Sequence, residues 1–116
     1  MEGTRLLIVE DDRMTCKLLR LVFAEMGLDV ITAHTVADGL ALLGTRPDYL
    51  VLDMTLPDGE GREILERVRQ EGLRTRVIVT TGWGTACGVE DLQPDSVLCK
   101  PIEPGEILHR LGLPLR

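Results

Sequence analysis

The side chains with the clearest chemical promise are Glu10 and Asp11, Asp53, Thr81 and Lys100, each following a short apolar run. A carboxylate closing a hydrophobic stretch, as Asp53 closes Val51-Leu52, is costly unless something pairs or uses it. Two carboxylates about 4 Å apart repel by roughly 1 to 4 kcal/mol as the effective dielectric falls from ~80 to ~20, so a gathered acidic cluster calls for a cation. Carboxylate and carbonyl donors without imidazole or thiolate suit a hard ion, and a partly hydrated site meeting a phosphoryl group suits Mg²⁺. Lys100 and Lys17 are the only lysines among thirteen basic residues. A compact ammonium acts as a point charge for a phosphoryl oxygen where a guanidinium fork would be too large. Thr81 adds a hydroxyl donor, and Gly82 lets a backbone N–H approach closely. Together these groups describe a phosphoryl pocket with an aspartate nucleophile.

Such a pocket requires strands that end at one edge. Leu6 to Val9, Val30 to Ala33, Tyr49 to Leu52, Val77 to Thr80 and Val97 to Cys99 read as strands, apolar almost throughout. Between them the spacing predicts helices. Met14, Leu18, Leu21 and Val22 share one face before Gly27, and Val36, Leu40 and Leu43 follow a Thr35 cap and end at Gly44. Ile64, Leu65 and Val68 precede Gly72, and Ile107, Leu108 and Leu111 follow Pro104 at a favoured first-turn position. Gly82, Gly84 and Gly88 leave room for only a short or irregular helix around Ala86 to Leu92. Alternating strands and helices predict an α/β fold, a doubly wound five-stranded parallel sheet, in which ligands bind beyond the carboxyl ends of the strands.

A chain of 116 residues supports one compact domain, here expected over residues 1–116, without metal or disulfide staples. Its net charge of -6 argues against direct binding to nucleic acid or an anionic membrane surface. Cys16, Cys87 and Cys99 lack metal or redox spacing and read as reduced thiols, which points to the cytoplasm. No secretory leader or membrane-length apolar run is expected. Asp12 reads as the N-cap of the first helix, and His34 and His109 as surface or boundary residues.

Glu10-Asp11, Asp53, Thr81 and Lys100-Pro101 on successive strand ends, with Asp53-x-x-x-Pro57 and Gly61 eight residues after Asp53, resemble the receiver domain of two-component response regulators. The resemblance spans essentially the whole chain and implies the flavodoxin-like strand order 2-1-3-4-5. It implies that Asp53 accepts a phosphoryl group from a histidine kinase or histidine phosphotransfer domain. It places Mg²⁺ on Asp11 and Asp53 directly, on Glu10 through water and on the Thr55 carbonyl. Lys100 and Thr81 would contact the phosphoryl group, with Met54 and Gly82 beside it, and the Lys100-Pro101 bond is a candidate cis peptide. The output would be a downstream effector domain or protein.

The chain departs from the family pattern at Val97, where an aromatic switch often stands. Thr81-Gly82-Trp83-Gly84 resembles receivers fused to hybrid histidine kinases, so the chain is a single-domain regulator or a module of a larger protein. Trp83 fits a plain loop aromatic or a partner contact. The residues also admit two other readings: a receiver-like interaction module working without phosphorylation, and an aspartyl-nucleophile phosphohydrolase. The latter usually has a second aspartate two residues after the nucleophile, where this chain has Thr55.

Overall fold

The structure is a computed structural model, which describes residues 3–82 and 89–112. Five parallel strands form one sheet: β1 (Arg5–Val9), β2 (Asp29–Ala33), β3 (Tyr49–Asp53), β6 (Arg76–Thr81) and β7 (Ser96–Cys99). A separate two-stranded hairpin, β4 (Thr55–Leu56) with β5 (Gly59–Glu60), lies between β3 and α3. Helices α1 (Arg13–Glu25), α2 (Val36–Leu42), α3 (Arg62–Gln70) and α4 (Pro104–Leu111) complete the described elements, with a 3-10 turn at Glu90–Leu92. The sheet order is β2-β1-β3-β6-β7, which is 2-1-3-4-5 when its five strands are counted alone. The expected fold class holds. Trp83 and the start of the helix expected near Ala86 lie outside the described residues.

Each strand serves two cores because successive side chains point to opposite faces. Leu7, Val9, Leu50, Leu52, Val77 and Val79 pack with α2 and α3, while Leu6, Ile8, Val51 and Ile78 pack with α1 and α4. Phe23, Ile64, Leu65, Ile107 and Leu111 are the large helical side chains fully withdrawn from water. Burying one such side chain stabilises by about 1.5–3 kcal/mol.

The face expected for α1 needs correction. Met14, Leu18 and Leu21 are 76%, 55% and 57% exposed, and Cys16, Leu19 and Phe23 face the sheet instead. Both sets have helical spacing, and the sheet takes the one carrying the helix's only aromatic. The end of α2 also differs. The α-helix stops at Leu42, Leu43–Thr45 form a 3-10 turn, and Arg46 takes the left-handed conformation at φ 53°. The Thr45 hydroxyl donates to the Leu42 carbonyl at 2.6 Å, which satisfies a helix-end acceptor locally. Gly27 and Gly72, by contrast, have positive φ where helices were expected to stop. Asp12 and Thr35 cap α1 and α2 as predicted.

The segment after Asp53 folds back on its own start. The Gly61 N–H donates to the Met54 carbonyl at 2.9 Å, and Thr55 pairs with Glu60. At the hairpin tip the Asp58 carboxylate accepts N–H bonds from Val36 at 2.7 Å and Ala37 at 3.1 Å, so it caps α2 from another loop. The Val36 bond and then the Ala37 bond hold the Asp58 carboxyl below the usual carboxylate range. A lowered folded pKa contributes stability above the unfolded value that is lost as pH falls. Asp58→Ala is therefore expected to lower the melting temperature at neutral pH and to lower it less near pH 3. A deficit of equal size at both pH values in thermal denaturation would assign Asp58 a steric role instead.

Candidate functional site

The parallel register brings the selected residues together. Asp53 is the last residue of β3 and pairs in register with Thr80, and Thr81 ends β6 opposite Cys99 of β7. Glu10 follows β1, and its N–H donates to the Ala33 carbonyl at 3.0 Å. Lys100 follows β7 and is held by its own N–H, which donates to the Thr81 carbonyl at 2.8 Å. The Lys100-Pro101 bond is cis, as the resemblance implied.

At the centre the Lys100 ammonium bridges two buried acids. Its Nζ lies 2.8 Å from Glu10 Oε1 and 3.1 Å from Asp53 Oδ2, and Asp53 and Glu10 are each 4% exposed. Asp53 Oδ1 accepts the Thr55 N–H at 3.1 Å. Burial, and then the hydrogen bond shared with Asp53, pushes the Glu10 carboxyl up to about 8 despite the neighbouring ammonium. Burial opposes ionisation of Asp53 as well, but hydrogen bonds from Glu10, the Thr55 N–H and Lys100 outweigh it and hold Asp53 below the usual carboxylate range. Burial likewise disfavours the Lys100 ammonium, yet the two acids hold its pKa above the usual lysine value. The pair therefore favours the proton on Glu10 and the negative charge on Asp53.

Asp11 joins this pair from the exposed side. One carboxylate oxygen from each of Glu10, Asp11 and Asp53 can be chosen so that all three lie within 4.8 Å of one another. Three hard oxygen donors at that spacing, two buried and one open to water, fit a divalent cation that keeps part of its hydration. Thr55 stands next to this cluster and is exposed.

The other predicted neighbours contribute differently. The Met54 N–H donates to the Thr80 carbonyl at 3.1 Å and its side chain lies in the core, which fixes the end of the strand. A Cβ at Gly82 would meet nothing within 4 Å, so no close neighbour requires the glycine. Val97 is 41% exposed at the sheet's edge strand. Beside the cluster a cavity of about 470 Å³ is lined by Glu10, Thr15, Leu18, Thr80, Lys100 and Ile102, among others.

Two contacts escaped the sequence. The His34 Nδ1–H donates to the Glu10 carbonyl at 2.9 Å, pinning the loop that carries the acids. Lys100 pairs with Glu10 as well as Asp53, and nothing in the spacing of residues 90 positions apart signals that partner.

The family model described as the response regulator receiver domain matches residues 6–112. The chain is a response-regulator receiver domain. Among relatives, this receiver domain is 34% identical over 110 residues to the photosynthetic apparatus regulatory protein RegA of Cereibacter sphaeroides, covering 91% of the chain and 60% of that protein. It is 37% identical over 110 residues to the acid tolerance regulatory protein ActR of Rhizobium meliloti, covering 91% and 57% respectively. The receiver domain thus spans less than two thirds of these relatives. A CheY-like receiver domain protein from Methanospirillum hungatei superimposes with TM-score 0.87 at 26% identity, over 94% of this chain and 90% of that one. The receiver domain of a LuxO-like repressor from Vibrio parahaemolyticus, at 24% identity, shares the fold with TM-score 0.87, over 97% and 88%. Among the described residues of this receiver domain, no helix is long and apolar enough to cross a membrane.

Proposed function

We propose that this receiver domain, taken as one unit over residues 1–116, accepts a phosphoryl group on Asp53 from a phosphohistidine of a partner kinase or phosphotransfer domain. The observation that carries the reading is the Lys100 ammonium held between buried Asp53 and Glu10, with Asp11 alongside. An Asp53 carboxylate oxygen attacks phosphorus opposite the P–N bond. The new P–O bond makes an acyl phosphate, the P–N electrons leave with the imidazole, and the ring then takes a proton. Lys100 would offset charge on the transferring oxygens, and the Thr81 hydroxyl and Gly82 N–H would donate to them. Mg²⁺ would be held by Asp11, Asp53 and the Thr55 carbonyl, with Glu10 acting through water, and would supply further charge neutralisation at the phosphoryl oxygens.

The domain then works as a switch that a downstream effector domain or protein reads, in the cytoplasm. Its net charge of -6 disfavours direct contact with nucleic acid or membrane. Incubation with acetyl phosphate and Mg²⁺, read by intact mass, is expected to add one phosphoryl group to wild type and none to Asp53→Asn. Equal gain by the variant would move the acceptor elsewhere, and no gain by wild type would support signalling without phosphorylation. Turnover of many equivalents of a phosphate ester would favour a hydrolase.

A further inference from the structure

Asp12 caps helix α1, but within the helix itself the charges run in the reverse of the order its dipole favours. Arg13 is its first residue, no acid stands in its first turn and no base in its last, while Glu25 closes it. A cation beside the positive end of a helix is a local cost. Arg13, Lys17 and Arg20, spaced by four and three, share one side of α1. With Cys16, Thr32 and His34 they line a cavity of about 230 Å³ between α1 and the end of β2.

No carboxylate lines this cavity. The ion pairs of the described residues use Arg5, Arg62, Arg67 and Lys100, and none involves Arg13, Lys17 or Arg20. In a chain with 19 acids against 13 bases, three cations on one cavity with no carboxylate in its lining are a departure from the mean field. The Thr32 hydroxyl adds a donor from β2. His34 is fixed at the rim by its bond to the Glu10 carbonyl.

We propose that this cleft binds the phosphate group of inorganic phosphate or of a small phosphomonoester, at a second site on the side of α1 towards β2. The charge count favours phosphate over carboxylate. A phosphate dianion offers three or four acceptor oxygens and two charges to two guanidinium forks, an ammonium and a hydroxyl, whereas one carboxylate would satisfy a single fork.

The test is amide NMR of the full chain without divalent metal, titrated at constant ionic strength so that general screening does not change. Separate arms use inorganic phosphate, glycerol phosphate, acetate and sodium chloride. Saturable shifts are expected at residues 13–20 and 32–34 with phosphate or its ester, and not at residues 53 and 100. Response to both identifies the free anion as sufficient, and response to the ester alone identifies an organic phosphate. The double variant Lys17→Gln with Arg20→Gln is expected to weaken binding about tenfold or more while leaving the melting temperature within a few degrees. Unchanged affinity in a folded variant would overturn the site. So would shifts that fail to saturate, that acetate or chloride reproduces, or that centre on Asp53 and Lys100.

Discussion

Gly61→Ala is expected to unfold the domain several degrees earlier and to impair phosphoryl acceptance at Asp53 in the part that stays folded. A Cβ on Gly61 would collide with the Asp53 carbonyl oxygen and crowd the Asp53 carbonyl carbon and Met54 Cα, each at 3.1 Å. All of these are backbone atoms, so no side chain can swing aside. Inserting a methyl group into such a contact costs typically 1–3 kcal/mol, or about 4–8 °C per kcal/mol in a domain a little smaller than this one. Relief requires the end of β3 to move relative to the start of α3, which displaces Asp53 from Lys100, now 3.1 Å away. Gly44→Ala is the internal control. A Cβ there meets nothing within 4 Å and the residue lacks a positive φ, so its melting temperature should match or exceed that of wild type. Equal melting temperatures and equal mass gain for the Gly61 and Gly44 variants would show that the backbone contact is not what fixes Asp53.

The second large effect concerns the proton on Glu10. Its folded pKa stands at about 8 against an ordinary value of 4.5, so the folded chain binds more protons than the unfolded chain between those values. Stability without metal must then fall as pH rises through that window. Asp53, whose pKa is lowered, contributes in the opposite sense below its unfolded value of 3.8, so the two effects occupy separate pH ranges. Glu10→Gln keeps the shape and most hydrogen-bonding capacity but cannot ionise. The variant is expected to flatten the decline and to exceed wild type near pH 8 by roughly 1–3 kcal/mol, a figure discounted for the partial exposure of Lys100 and the ion pair given up. At millimolar Mg²⁺ the wild-type decline should shrink, because a bound cation favours the ionised acid, and Asp11→Asn should restore it. Chemical denaturation at pH 5 and pH 8, with and without Mg²⁺, measures all of this. A wild type that is more stable at pH 8 without metal would overturn the assignment of the proton to Glu10.

Much of the site was legible because the parallel-sheet rule converts chain order into space. Asp53, Thr81 and Lys100 are far apart in sequence, yet each closes or follows an apolar strand, and parallel strands deliver their ends to one edge. What periodicity supplies is spacing, not phase. Met14, Leu18 and Leu21 obey the same spacing as Cys16, Leu19 and Phe23, and only packing against the sheet decides between them. Asp58 stands between Pro57 and Gly59, a composition that signals only a local turn. Its caps on Val36 and Ala37 cross to another element and leave no local mark. The Glu10 to Lys100 pair was missed for the same reason, although both residues were chosen individually.

One sheet dividing two apolar clusters also sets how substitutions combine. Leu52 and Val51 are adjacent in sequence, but the first packs with α2 and α3 and the second with α1 and α4. Truncations on opposite faces share few neighbours, so their costs should nearly add, whereas two truncations on one face should couple. Changes in the α1 and α4 layer are therefore expected to leave largely untouched the opposite layer, which holds the loop behind Asp53 in place. Asp53 belongs to the sheet common to both, which makes its position tolerant of remodelling on one face at a time.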